Sequence, residues 1–320
     1  MRFSVIIPLY NKAAYVTKAI DSVLTQGFKD FELVIVDDGS KDASAEMAAQ
    51  AIVGHRQCHL IRQDNAGVAL ARNNGVAASQ GEYLCFLDAD DWWEPTFLEE
   101  MDKLIAEFPE AGIYGTNYTI VNEAKHKTHV ARIGVEEGFE KGYVNYCQTY
   151  AKTMYMPLWT GAVCVPRGVF DEMKGFPKGI KLGEDFLLWI RIALKYNVAF
   201  LNKSLAYYNQ DVETENRGVG HLYFPEYHML WNLGFLYEEE KNNPDCKQLL
   251  DNLRTYDLLP YYLSSEYHDA AERELAKVDW GKQSDKIRKQ YQRPLFTLRI
   301  ENKIRKLGSV GKQWLFRIMK

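Results

Sequence analysis

The chain opens with an apolar run, Phe3-Ser4-Val5-Ile6-Ile7, ended by Pro8. A run this short, with no alternation of polar positions, predicts a strand buried on both faces. Val16, Ala19, Ile20, Val23 and Leu24 then recur at three- and four-residue spacing, the apolar stripe of an amphipathic helix. The pattern repeats. Residues 31–36 (FELVIV) predict a second strand, cut off by Asp37-Asp38-Gly39-Ser40, and an alanine-rich helix follows to about Ala51. His59-Leu60-Ile61 predicts a third strand, and Asn65-Ala66-Gly67 opens a helix ending near Gly81. Residues 83–87 (YLCFL) predict a fourth strand, stopped by Asp88, Asp90 and Asp91. Strands alternating with helices at this spacing imply an α/β fold, a mostly parallel sheet flanked by helices on both faces.

After Glu110 the alternation weakens. Residues 113–121 and 128–133 read as paired strands, 160–165 as a further strand, and 182–194 as a loop feeding a helix. Beyond residue 222 the pattern is helical, with aromatics at Tyr227, Trp231, Phe235 and Tyr237. The expected division is an α/β domain over 1–221 and a helical C-terminal region over 222–320.

Polar clusters follow the C-terminal ends of the predicted strands, the edge along which open parallel sheets bind ligands. The strongest is Asp88-Ala89-Asp90-Asp91. Three carboxylates at one strand end repel, and a hard divalent cation shared with a diphosphate relieves that repulsion. The plainer alternative is a solvated loop in which Asp91 caps a helix beginning at Glu94-Pro95. At Asp37-Asp38-Gly39 the glycine lets the backbone approach a nucleotide, or makes an ordinary turn with Ser40 or Asp42 starting the helix. Tyr10 after the first strand is more often packing than a platform for a base. Arg72 is a base or phosphate contact, or a helix-surface ion pair. Glu184-Asp185, taken alone, are acids at a helix start.

Bulk properties narrow the class. The 320 residues allow one large domain with an appendage, and the net charge of −4 argues against a nucleic-acid partner. That average hides an asymmetry. Between Lys286 and Lys320 eleven Lys or Arg face one acid, Glu301, so this segment carries +10 and the remainder −14. Ile300, Ile304, Leu307, Trp314 and Ile318 fall near one helical face with Arg299, Lys303, Arg305, Lys306 and Arg317 around it, the composition of an interfacial helix on an anionic membrane surface. The alternative is a basic helix lying on the acidic remainder, and Gly308 and Gly311 weaken a continuous helix. The five cysteines are odd in number and lack a CxxC pair, as expected of reduced thiols. Arg2 leads straight into the first strand without a signal peptide, and no stretch is long enough to span a membrane. The expected location is therefore cytoplasmic, free or peripheral on the inner face of the membrane.

Read together, SVIIPLYNKAAYV, FELVIVDDGSKDAS, NAGVALARNNGVAASQGEYLCFLDADDWW, TGAVCVPRGVF and GEDFLLWIRI resemble, in order and spacing over about residues 1–210, the family 2 glycosyltransferases, inverting enzymes of the GT-A fold. The resemblance implies a Rossmann-like sheet and a nucleotide-sugar donor, with uracil as the base. It implies that Tyr10 stacks on the base, that Asp38 accepts a hydrogen bond from it with Arg72 close by, and that Pro8 and Gly39 shape the pocket wall. It places Asp88 at the ribose and diphosphate, gives Asp90 to Mg2+ or Mn2+, and makes Asp185 the base with Glu184 beside it. A later histidine or arginine often completes such sites; Arg217 and His221 are the candidates here. The implied acceptor is a saccharide or lipid-linked hydroxyl in cell-surface polysaccharide synthesis. Two rivals share the fold. A nucleotidyltransferase would carry a glycine-rich basic loop after the first strand, whereas 8–12 offers one lysine and no glycine. A non-catalytic nucleotide-sugar-binding protein would have less use for both the DAD and the Glu-Asp motifs.

Overall fold

The computed structural model describes residues 1–211 and 222–302. The chain forms two compact units, Met1–Leu236 and a second that begins at Tyr237.

The first unit is built on one sheet. The strands are β1 Phe3–Leu9, β2 Phe31–Asp37, β3 Cys58–Arg62, β4 Tyr83–Phe86, β5 Trp92–Trp93, β6 Ala111–Asn122, β7 Lys127–Val130, β8 Lys141–Val144, β9 Val163–Pro166 and β10 Asn197–Asn209. Their order is β3-β2-β1-β4-β9-β6-β10-β5, with β7 on β6 and β8 on β10. From β3 to β4 every pairing is parallel. Beyond β4 the sheet is mixed: β9 runs antiparallel to both neighbours, and β6 and β10 pair in parallel.

Helices cover both faces. On one side lie α1 Val16–Leu24, α2 Ser44–Ala51 and α4 Phe97–Glu107, whose apolar stripes join alternate residues of β1 (Phe3, Val5, Ile7, Leu9) in the main core. Each such side chain stabilises the fold by about 1.5–3 kcal/mol on burial. On the other side lies α3 Val68–Ala77, where a Cβ on Gly75 would stand 2.5 Å from Ile6, so glycine is what lets the helix meet the strand. Further along come α5 Tyr146–Thr153, α6 Arg167–Glu172 and α7 Glu184–Lys195.

Several sequence expectations need correction. Pro8 does not end β1. Pairing with β4 stops at Ile6↔Phe86, so a proline two residues on removes no donor from that ladder, while β2 continues alongside to Leu9. The third helix stops at Ala77, four residues before Gly81, where the chain passes so close to β1 that a Cβ would sit 2.5 Å from Ser4. Residues 160–162 are a 3-10 turn, and β9 starts only at Val163. Asp91 does not cap α4, whose N-cap is Thr96; it accepts from the backbone N–H of Asn209 on β10 at 2.7 Å. The 13-residue β10 has no counterpart in the sequence reading. Its pattern is broken by Asn202-Lys203-Ser204 and its register with β6 shifts three times, so no regular alternation marks it.

Residues 222–236 belong to the first unit. The segment from Tyr227 to Met229 lies along Lys181–Gly183, with Lys181 donating to the Tyr227 carbonyl at 2.8 Å and Met229 to the Leu182 carbonyl at 3.0 Å.

The second unit is helical: α8 Tyr237–Asn242, α9 Pro244–Asp257, α10 Leu259–Leu263, α11 His268–Leu275 and α12 Asp285–Tyr291, then a helical turn over 295–302. The Asn243 side chain caps α9 by accepting from the N–H groups of Asp245 and Cys246, with Pro244 at the first helical position. Cys246, Leu249, Leu250, Leu253 and Leu275 form its apolar interior. All five cysteines are free and buried. Among the described residues no helix is long and apolar enough to cross a membrane.

Candidate active site

The sequence-predicted polar clusters come together at the C-terminal ends of β1, β2 and β4, and α7 brings its first turn to the same place. Arg72 of α3 ties the halves. It is 3% exposed. Its Nη2 donates to Asp88 just past β4 at 2.8 Å, and its Nη1 to Glu184 on α7, 112 residues away in sequence, at 2.7 Å. The guanidinium also faces the ring of Phe176 at 5.1 Å, in an aromatic cluster with Phe86, Phe170 and Trp189. Burial opposes its charge, and Asp88, Glu184 and Asp185 overcome that and raise its pKa. The surface ion pair considered for Arg72 is thus a buried bridge.

Glu184 is also buried. Burial first, then the neighbouring Asp185 charge, push its carboxyl up to about 7 against the pull of Arg72. Asp185 is half-buried and accepts from the Thr160 hydroxyl at 2.8 Å and from the N–H of Phe186 at 2.7 Å. Both acids stand in the first turn of α7, where the helix dipole favours negative charge. Gly183 before them is left-handed (φ 82°), and a Cβ there would be 2.3 Å from the Met229 sulfur. Neighbouring His228 is 1% exposed; burial lowers its pKa to about 4, and its Nδ1 accepts from the Leu230 N–H.

On the β4 side, Asp90 accepts from the Lys12 ammonium at 2.6 Å. Burial raises the Asp90 pKa, Lys12 lowers it and Asp88 raises it. Asp91 is buried deeper. Burial, then the charges of Asp90 and Asp88, hold its carboxyl well above the usual range, so this is the acid that the Asn209 backbone must steady.

The β1 and β2 ends supply the rest. Tyr10 is 43% exposed on the edge. Pro8 is buried in β1. Gly39 has φ +73°, and a Cβ would lie 3.0 Å from the Asn65 nitrogen. Asp38 is buried and already holds the loop before α3: it accepts from Gln63 at 2.8 Å, Ala66 N–H at 2.8 Å and Gly67 N–H at 2.9 Å. A carboxylate has about four acceptor sites, so one remains for another donor. Sequence reasoning missed Lys12, Thr160 and the strand tie of Asp91. Lys12 alone had a local sign, its place directly after Tyr10-Asn11. Arg217 and His221 lie outside the described residues.

Asp88, Asp90, Asp91, Glu184 and Asp185 therefore face two bases, Arg72 and Lys12. Among the described residues no three His, Cys, Asp or Glu side chains gather as a metal cage. A Mg2+-type ion needs none; it is held through one or two carboxylates and the phosphates of a substrate. The surplus of hard oxygen donors at Asp88 and Asp90 fits such an ion.

The sequence model of Glycosyl transferase family 2 matches residues 4–164, half of the chain. The chain belongs to glycosyltransferase family 2. The matched span runs from β1 to the start of β9, so it holds Tyr10, Asp38, Arg72 and the DAD acids, while Glu184 and Asp185 follow it. Among relatives, Glycosyltransferase GlyA of Streptococcus pneumoniae is 34% identical over 214 residues, 65% of this chain and 30% of GlyA. An uncharacterized glycosyltransferase of Rickettsia felis is 32% identical over 205 residues, 64% of this chain and 32% of that protein. The chain thus spans about a third of the length of these two relatives. The crystal structure of S. aureus TarS 1–349 in complex with UDP-GlcNAc superposes with a TM-score of 0.68 at 19% identity, over 86% of this chain and 80% of that one. At that identity the likeness concerns the fold, which this family 2 chain shares as a central sheet flanked by helices.

Proposed function

We propose that this family 2 protein is an inverting glycosyltransferase that moves a sugar from a UDP-sugar to a hydroxyl of a saccharide or lipid-linked acceptor, in the making of a cell-surface polysaccharide. The observation that carries the reading is the Arg72 bridge, which ties Asp88 after β4 to Glu184, the neighbour of Asp185 on α7. The binding of UDP-GlcNAc by TarS, a protein of the same fold, supports a uridine donor.

In this reading Tyr10 and Asp38 receive the base. Asp88 faces the ribose and diphosphate, and Asp90 would hold Mg2+ or Mn2+; when bound, such an ion would offset the charge that develops on the leaving diphosphate. His221 is the candidate further ligand from sequence. Asp185, steadied by Thr160 and Phe186 N–H, takes the proton from the acceptor hydroxyl as its oxygen attacks the anomeric carbon. The bond to the diphosphate oxygen breaks on the opposite face, so the centre inverts and no enzyme nucleophile is required. Glu184, bonded to Arg72, stands beside Asp185 in the first turn of α7.

The basic C-terminal segment extends the reading to an anionic membrane surface where a lipid-linked acceptor would lie. In its described part Phe296 and Ile300, four residues apart on one helix, are 75% and 41% exposed, while Arg293 pairs with Glu301 and Arg299 donates to the carbonyls of Leu263 and Ser264, so the apolar side chains are what that part offers a membrane. We predict that the full chain pellets with anionic vesicles at low salt, and that a chain ending at residue 285 does not. Equal pelleting of the two would end the membrane proposal. The transfer proposal is tested separately by incubating radiolabelled UDP-sugars with Mn2+ and following release of UDP.

A further inference from the structure

Lys12 carries a consequence that its neighbours do not. Its ammonium is 2.6 Å from Asp90, and both side chains are mostly buried, at 13% and 15% exposure. The backbone holds it there: the Lys12 N–H donates to the Ser44 hydroxyl at 2.7 Å, and Asn11 before it exchanges bonds with Ser40 and Lys41. The lysine thus reaches from the end of β1 across to the acids after β4 on an anchored stem.

A divalent cation on the same carboxylate oxygen, at about 2.1 Å, would stand within about 5 Å of the ammonium. Like charges that close in a partly buried site repel strongly. The cation and the lysine therefore compete for Asp90. A nucleoside diphosphate changes the balance, because its oxygens give the displaced ammonium a new anion while ligating the cation. The acid surplus acts in the same direction: a diphosphate entering without a cation meets uncompensated carboxylates.

Resting on the proposed role of Asp90 as a metal ligand, we propose that Lys12 is an internal counter-ion which a divalent cation must displace, so that cation and donor diphosphate bind as a coupled pair and each binds weakly alone. Coupling of this kind is reciprocal between the two ligands.

The test is Mn2+ binding to the full chain, followed by electron paramagnetic resonance with and without UDP. A hydrogen bond to a charged group is worth about 1.5–3 kcal/mol, so Lys12→Gln should bind Mn2+ alone roughly tenfold or more tightly than wild type. The gain in Mn2+ affinity on adding UDP should shrink by a similar factor. Lys12→Arg, which keeps the charge, should stay near wild type, and Lys12→Met, which keeps the stem, should follow Lys12→Gln. Exposed Lys41 is the control for overall charge, with Lys41→Gln expected within twofold of wild type. Unchanged or weaker binding of Mn2+ alone in folded Lys12→Gln and Lys12→Met, or an equal gain in Lys41→Gln, would overturn the proposal. Asp90→Asn separates the two readings: loss of Mn2+ binding there supports the metal role whatever Lys12 does, while wild-type binding there removes that role and the inference with it.

Discussion

Each unit buries one arginine among acids, and the two clusters differ in balance. In the second unit Arg254, 1% exposed, meets Glu240 through both terminal nitrogens, with Asp251 and Glu274 each at 3.5 Å. Lys247 pairs with Asp251 and Glu240, and Lys277 with Glu274 at 2.6 Å. Three acids there face three bases, and Asp251 also receives the N–H of Asp279. Around Arg72 five acids face two bases, at the sheet edge where loops meet. A balanced knot joins helices. Arg72 bonds two of those acids, Asp88 and Glu184, and Lys12 a third, Asp90, which leaves an excess of acids at the edge where we propose that a cation and a diphosphate bind. Buried charge alone does not point to a site; acids crowded at a sheet edge with too few basic partners do.

The contrast can be broken most sharply at Asp185. We predict that Asp185→Asn lowers turnover at saturating donor by about 10²–10⁴-fold while donor affinity stays within a few-fold. A large loss of affinity with normal saturated turnover would make Asp185 a binding residue. The matching change in the other cluster is Arg254→Met. It leaves buried Asp251 and Glu274 short of a partner, so the second unit should lose about 3–5 kcal/mol of stability, seen as an earlier denaturant midpoint, with turnover per folded molecule unchanged. If Arg254→Met abolished donor binding in folded protein, the division between knot and site would fail.

A smaller effect lies in the pH dependence of stability. Glu184 is held at about 7 in the folded chain against an ordinary 4.5, so its raised carboxyl binds a proton more tightly folded than unfolded. Its contribution is favourable below pH 4.5 and is lost as pH rises through about 7. His228 acts the other way: its pKa is lowered from 6.5 to about 4, so its contribution is present above 6.5 and lost as pH falls toward 4. We predict that Glu184→Gln removes a downward slope between pH 4.5 and 7, measured as the difference in unfolding free energy from wild type. A difference that does not vary with pH would show that Glu184 stays ionised beside Arg72.

How far the sequence reveals all this depends on distance along the chain. The parallel half of the sheet was legible because each strand and helix carries its own period, from Val5-Ile6-Ile7 to Leu84-Cys85-Phe86. That these acids gather at one sheet edge was legible too, since acids that stop a buried strand must lie at its end. Which acid meets which base was not. Arg72 finds Glu184 across 112 positions, Lys12 finds Asp90 across 78, and Asp91 finds Asn209 across 118. No local period encodes such pairings, and β10, which carries one of them, is irregular enough to hide from the period itself.

The proposed transfer of a sugar with inversion at the acid-rich edge is measured most directly at the anomeric centre. A panel of UDP-sugars is incubated with the full chain and Mn2+, water serving as acceptor, and the first sugar released is read by proton NMR before it mutarotates. We predict slow, metal-dependent release of UDP from at least one donor, with the free sugar appearing first as the opposite anomer, and loss of that release in Asp185→Asn. A UDP-sugar that stabilises the protein against heating yet is never cleaved, or one whose product keeps the donor's configuration, would contradict it.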